Sequence, residues 1–260
     1  MITILALQLS LSHHAQSPIT AEQIAQGRSK SIISSSTPNI TNPISYIDGA
    51  KGISIVGSTE RKYFSEINSD LLAIIFHRGT QGLSVSFHQH GISDYSINTY
   101  SMGYAMKLTD RVSIGSNLKY RILQITESTN VHEICVDLSF RYQPISTLSF
   151  TVLAENLNRT SKLSNSSLTL GLQMNVSEKI ALFSEWQYDQ YWSQASDMIL
   201  ITGIDFHLTQ DIRVLLGVNT LYMGPSIGLS YLWEDYLFSL GFINHHQLGA
   251  SGSFGISKRF

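Results

Sequence analysis

Two histidines, His88 and His90, stand two residues apart in an alternating run, so both leave the same face of a strand. Such a pair can ligate a metal ion, but no third ligand is identifiable near it, and the residues predict no metal centre. His245 and His246 fall in an expected loop and read as solvated. The single cysteine, Cys135, excludes an intrachain disulfide framework and reads as an inward side chain in mid-strand. No nucleophile with a base is identifiable, and a phosphate loop, a Cys-x-x-Cys pair and a dinucleotide fingerprint are all missing. The expectation is a protein that is not an enzyme and uses no cofactor.

The second chemistry-bearing set is ionic. Lys119, Arg121, Glu133, Asp137, Arg141, Glu185, Asp205 and Arg213 occupy the polar phase of alternating runs, with Glu155 and Asp189 in the same phase. Opposite signs fall on neighbouring runs: Lys119 and Arg121 with Glu133 and Asp137, and Arg213 with Asp205 and Glu185. Unpaired charge is expensive away from water, so these rows predict pairing and hydration. The structural reading is a luminal charge ladder filling a barrel. The functional alternative is a polar conduction path or solute site.

A period of two positions these groups. Tyr100, Met102, Tyr104, Met106 and Leu108 alternate with Thr99, Ser101, Gly103, Ala105 and Lys107. Thr109-Asp110 turns the chain, and alternation resumes through Val112, Ile114, Leu118, Tyr120 and Ile122, then Ile134, Val136, Leu138, Phe140 and Tyr142. Successive side chains leave opposite faces, which is a strand. Strands of ten or more residues exceed the usual five or six and match what crosses a bilayer at a tilt. About 14 such runs can be placed from residue 51 onward, and about 210 residues divided among them leave about 15 per strand and connection. Connections after even-numbered strands are short and most after odd-numbered ones are longer, with 92–96 read as one of the longer loops. That asymmetry is expected of tight periplasmic turns and larger external loops. The fold class is therefore all-β: a transmembrane antiparallel β-barrel over 51–260, preceded by a luminal, plug-like N-terminal segment over 16–50.

Composition agrees. Only 14% of the 260 residues are charged, against roughly 25% in ordinary soluble domains. The apolar phase (Leu83, Val85, Phe87, Leu168, Leu170, Leu240, Phe242) carries no mid-strand charge, which would cost roughly 2–4 kcal/mol for Lys or Arg at the membrane centre. A β-sandwich would bury the same rows, but not so many long strands. Trp186, Tyr188, Tyr231 and Trp233 fall near strand ends, where an interfacial girdle belongs. Phe183, Ile199, Ile201 and Leu215 lie in the inward phase, and such a mixed interior suits an obstructed or amphipathic passage better than an open water pore. A net charge of −2 with no basic face excludes a nucleic-acid partner. Residues 1–15 have the apolar stretch and a cut site after Ala15 expected of a signal peptide, without the basic start. The last strand ends on Phe260, with Phe254 and Ile256 on the same face, similar to the signal read by the outer-membrane assembly machinery.

Gly27-Arg28, then Asn42-Pro43 and a first strand at Lys51, resemble the opening of the FadL/PorV-like superfamily of outer-membrane barrels. Ile44 and Ser45 replace the family's Ala-containing continuation, and a Ser-rich stretch stands where the family is Gly-rich. Residues 83–120 are similar in kind: a strand ending at Gly91, a Tyr-Ala-x-x-Leu strand from Tyr104 to Leu108, and Ser-Ile-Gly at 113–115. The resemblance covers most of the barrel in architecture and only short motifs in sequence. It implies the outer membrane of a Gram-negative bacterium, with outer-membrane lipid around the wall. It further implies either a PorV/PorQ-type component of type IX secretion or envelope assembly, partnered by other envelope or secretion proteins, or FadL-like transport of hydrophobic small molecules. Short external loops and a charge-paired interior favour the first. The second requires an apolar pocket leading to a lateral gap in the wall.

Overall fold

The computed structural model describes residues 19–32, 38–47, 51–62, 67–126, 129–158, 166–190, 197–221, 223–246 and 249–260, with backbone alone at 189, 190 and 197. The expected signal peptide, the Ser-rich stretch over 33–37 and the side chain of Asp189 lie outside these residues. Fourteen antiparallel strands close into one barrel, each paired with its sequence neighbours, and the first with the last.

The first seven strands are β1 (Gly52–Arg61), β2 (Asn68–Arg78), β3 (Gln81–Ile92), β4 (Tyr95–Lys107), β5 (Val112–Ile125), β6 (Val131–Ile145) and β7 (Leu148–Glu155). The rest are β8 (Ser166–Asn175), β9 (Ile180–Gln190), β10 (Asp197–His207), β11 (Ile212–Asn219), β12 (Gly224–Trp233), β13 (Tyr236–His245) and β14 (Gly249–Arg259). Closure runs from Ser54 opposite Arg259 to Arg61 opposite Gly252. The connection expected over 92–96 is instead a two-residue turn, because Tyr95 and Ser96 already pair with Ile92 and Gly91. β1 likewise runs on to Arg61, since Glu60 and Arg61 pair with Ser69 and Asn68.

The wall is inverted relative to a soluble protein. Met198 is 70% exposed and Leu118 52%, whereas their neighbours Ile199 and Lys119 are 3% and 0%. Outward apolar side chains belong against hydrocarbon, and the closed ring leaves no unpaired strand edge there. Tyr104, Tyr142, Tyr231 and Trp233 form an exposed belt toward the short-turn rim, and Tyr120, Trp186 and Tyr188 another toward the opposite rim. Among the described residues, no helix is long and apolar enough to cross a membrane.

Inside the ring sits the described part of the N-terminal segment. A short helix, α1 (Ala21–Ala25), is buried against β11–β14 and β1, while a 3-10 turn at Pro43–Ile47 is buried against β2–β6. Thr20 caps α1: its hydroxyl accepts from the Gln23 amide at 3.4 Å, and the Gln23 side chain accepts from the Thr20 amide at 2.9 Å. So short a helix is not stable alone. The wall supplies what it lacks, with Ser226 donating to the Ala25 carbonyl at 2.8 Å and Asn219 to the Gly27 carbonyl at 2.7 Å.

Candidate functional site

The lumen holds nearly all of the buried charge, and the N-terminal segment is tied to the wall through it. Arg213 on β11 donates to Glu22 of α1 at 3.1 Å and also pairs with Asp205 on β10. Ser230 adds a 2.8 Å hydrogen bond to the same Glu22 oxygen. Arg28 pairs with Glu60 of β1, and Lys30 with Glu155 of β7 at 2.7 Å. Glu155 also lies 3.5 Å from Lys119, which contacts Asp137 at 2.5 Å.

Glu185 on β9 receives the densest set of donors. The amides of Lys30 and Ser31 and the hydroxyls of Ser29 and Ser31 all reach its carboxylate, at 2.6–3.1 Å. Three successive residues thereby grip one wall carboxylate, and charge-assisted bonds of this kind are the strong ones. On the other side of the lumen, the Tyr46 hydroxyl donates to the Ile40 carbonyl at 2.8 Å and to Asn117 at 3.2 Å. Burial pushes the Tyr46 phenol above its ordinary range, with Asp137 adding to it. At the end of β1, burial brings the Lys62 ammonium down to about 7, Glu60 opposing and Arg28 reinforcing the shift.

The structure brings the sequence-derived ionic residues to the inner face: Lys119, Arg121, Glu133, Asp137, Arg141, Glu185, Asp205 and Arg213 are all buried. Lys119 with Asp137, and Arg213 with Asp205, are in direct contact. Arg121 stands opposite Glu133 in the β5–β6 register. Glu185 differs from expectation, since its carboxylate is directed at residues 29–31. Arg141 lies 3.5 Å from the Ser113 hydroxyl. Glu22, Arg28, Lys30 and Glu60 escaped the reading because their partners lie across the lumen, where a period of two is silent. A signal was present all the same: acidic and basic residues in a segment of weak periodicity that must fit inside a barrel.

His88 and His90 stack inside the barrel, ring centroids 6.4 Å apart, with His88 hydrogen-bonded to Ser69 at 2.8 Å. Among the described residues, no group of three His, Cys, Asp or Glu side chains is placed to hold a metal.

Two features near β6–β10 break the ionic pattern. The first is a cavity of about 720 Å3 at the short-turn rim, between β6 and β10, lined by Arg141, Gln143, Gln173, Asn175, Asp205 and His207 among others. The second is an apolar strip in which Ile32 packs with Phe183, Ile199 and Ile201, and Leu221 packs on from the opposite rim. Among the described residues the wall is paired all the way round, without the lateral gap that transport was expected to need. Its thinnest seam is β6–β7, where regular pairing covers Leu138–Tyr142 and then slips before Ile145. At the other end, past Leu138, the Val136 carbonyl accepts from the Leu157 amide at 2.9 Å.

No protein-family model and no curated protein matches this chain. Solved structures do. The chain is similar to a FadL homologue of Pseudomonas aeruginosa, with TM-score 0.72, 7% identity, and 93% of this chain and 98% of that one covered. It is similar to the Pseudomonas putida toluene transporter TodX, with TM-score 0.71, 9% identity and 94% and 98% covered. The CymD monoaromatic hydrocarbon channel gives TM-score 0.67, 10% identity and 93% and 97% covered. These likenesses show a barrel fold in common with the three proteins.

Proposed function

We propose that this chain is a non-enzymatic outer-membrane channel protein of a Gram-negative bacterium that passes a hydrophobic small molecule. One observation carries the reading. An apolar strip on β9 and β10, Ile32 with Phe183, Ile199 and Ile201, ends above a cavity at the short-turn, periplasmic rim, while the other two buried apolar clusters, on β1–β4 and on β13, lie away from the strands that line that cavity. An apolar solute is stabilised along such a strip by roughly 25 cal/mol per Å2 of surface taken from water. The hydrocarbon channels among the similar structures support the same reading, and none of those named above supports a type IX secretion role.

The route runs along the barrel axis, from the external rim at Leu221 past Ile199 and Ile201 to the cavity. The test is uptake of radiolabelled toluene by cells expressing the protein in an outer-membrane background lacking hydrocarbon channels. Faster initial uptake than in empty-vector cells is expected, and equal rates would overturn the reading. A stoichiometric envelope protein in a detergent pull-down, together with unchanged uptake, would return the secretion role.

A further inference from the structure

We infer that Phe183 is the partition between the apolar strip and the periplasmic cavity, and the residue that decides which solutes pass. The position follows from register. Going up the β9–β10 pair from the short-turn rim, Ala181 and Asp205 stand opposite each other and line the cavity. The next inward pair is Phe183 with Gly203, and the one above is Glu185 with Ile201. Glu185 is gripped by residues 29–31, and Ile201 belongs to the apolar strip. One ring therefore separates a polar compartment from an apolar one.

The wall is shaped to accept that ring. A Cβ at Gly203 would stand 2.4 Å from Phe183 Cζ and 2.2 Å from the Leu216 carbonyl oxygen, so a bare backbone is the surface the ring lies against. Glycine inside a strand weakens it unless something approaches closely, and here the ring does. Phe183 is 5% exposed beneath Ile32 and Ile201, and a polar or hydrated solute rising from the cavity would have to displace it without gaining a hydrogen bond. A solute with an apolar face exchanges contact with the ring for contact with the strip. The class admitted is small, apolar and without obligatory hydrogen-bond donors.

As a selector, Phe183 rests on the transport reading; as a seal it does not, and the test separates the two. Cys135→Ser removes the native thiol, and Ile201→Cys or Ala181→Cys then places a reporter above or below the ring. Each is exposed to a charged methanethiosulfonate reagent in detergent, with folding checked by heat-modifiable gel mobility. With Phe183 present, Ala181→Cys reacts and Ile201→Cys does not. Phe183→Ala raises the Ile201→Cys rate to that of Ala181→Cys, and Phe183→Leu, which keeps the strip apolar, gives a rate between. An Ile201→Cys rate that is unchanged by both substitutions, or already fast beside the intact ring, overturns the partition. Toluene uptake is measured on the same variants with the native residues at 201 and 181. If labelling opens as expected while uptake matches empty-vector cells for every variant, the seal stands and the transport reading falls.

Discussion

The lumen has two unlike halves. Where α1 meets the wall, the facing residues are small: Ala21 and Ala25 approach Gly228, Gly241 and Gly255, and Ser226 and Ser230 hydrogen-bond the segment. At the foot of β6–β10 the wall presents Arg141, Gln143, Gln173 and His207, and a cavity remains. Both halves obey the same inside–outside alternation. Small inner side chains let α1 come within contact distance, and the larger ones at the foot of β6–β10 leave a cavity.

The largest expected effect belongs to the ionic cluster on β5–β7, outside both of these regions. Lys119→Met leaves Asp137 and Glu155 facing each other across a space that holds their shared cation. A loss of about 3–5 kcal/mol is expected from removing one member of a buried ionic group, read by urea unfolding in detergent through tryptophan fluorescence. A contrast in filling comes next. Gly228→Leu would drive a side chain into Ala25, whose Cβ already stands 2.2 Å from an ideal Cβ at that position. A loss of about 1–3 kcal/mol follows from overpacking, whereas Ala181→Leu at the cavity wall stays within about 0.5 kcal/mol, as at an unpacked surface. Equal losses at the two sites would erase the distinction between the halves.

Removing the α1 cap is milder. Thr20→Ala is expected to lose about 1 kcal/mol, the usual value of an N-cap hydroxyl, and to speed hydrogen exchange at the Gln23 amide without changing exchange in β7 or β8. The smallest effect belongs outside the lumen. Lys258 lies 4.7 Å from the Tyr236 ring and 4.5 Å from that of Phe260 at the short-turn rim. Lys258→Gln should lower stability by no more than about 1 kcal/mol, as for an exposed cation–π contact, and leave toluene uptake unchanged.

The barrel was legible because its cause is local. Each inward or outward choice is written in the parity of a residue's position, as with Lys119 between Leu118 and Tyr120, so strand number and facing follow from the chain read two residues at a time. The inward apolar set of Phe183, Ile199, Ile201 and Leu215 was visible for the same reason. The turn at Ser93-Asp94 was not, because how soon a hairpin closes depends on pairing across it. The grip of residues 29–31 on Glu185, the Glu22–Arg213 tie and the seat of Phe183 on Gly203 join positions up to 191 residues apart. Parity says that each of these faces inward and cannot say what it meets there. That is settled by the curvature of the closed wall and by which inner side chains are small enough to let the segment approach.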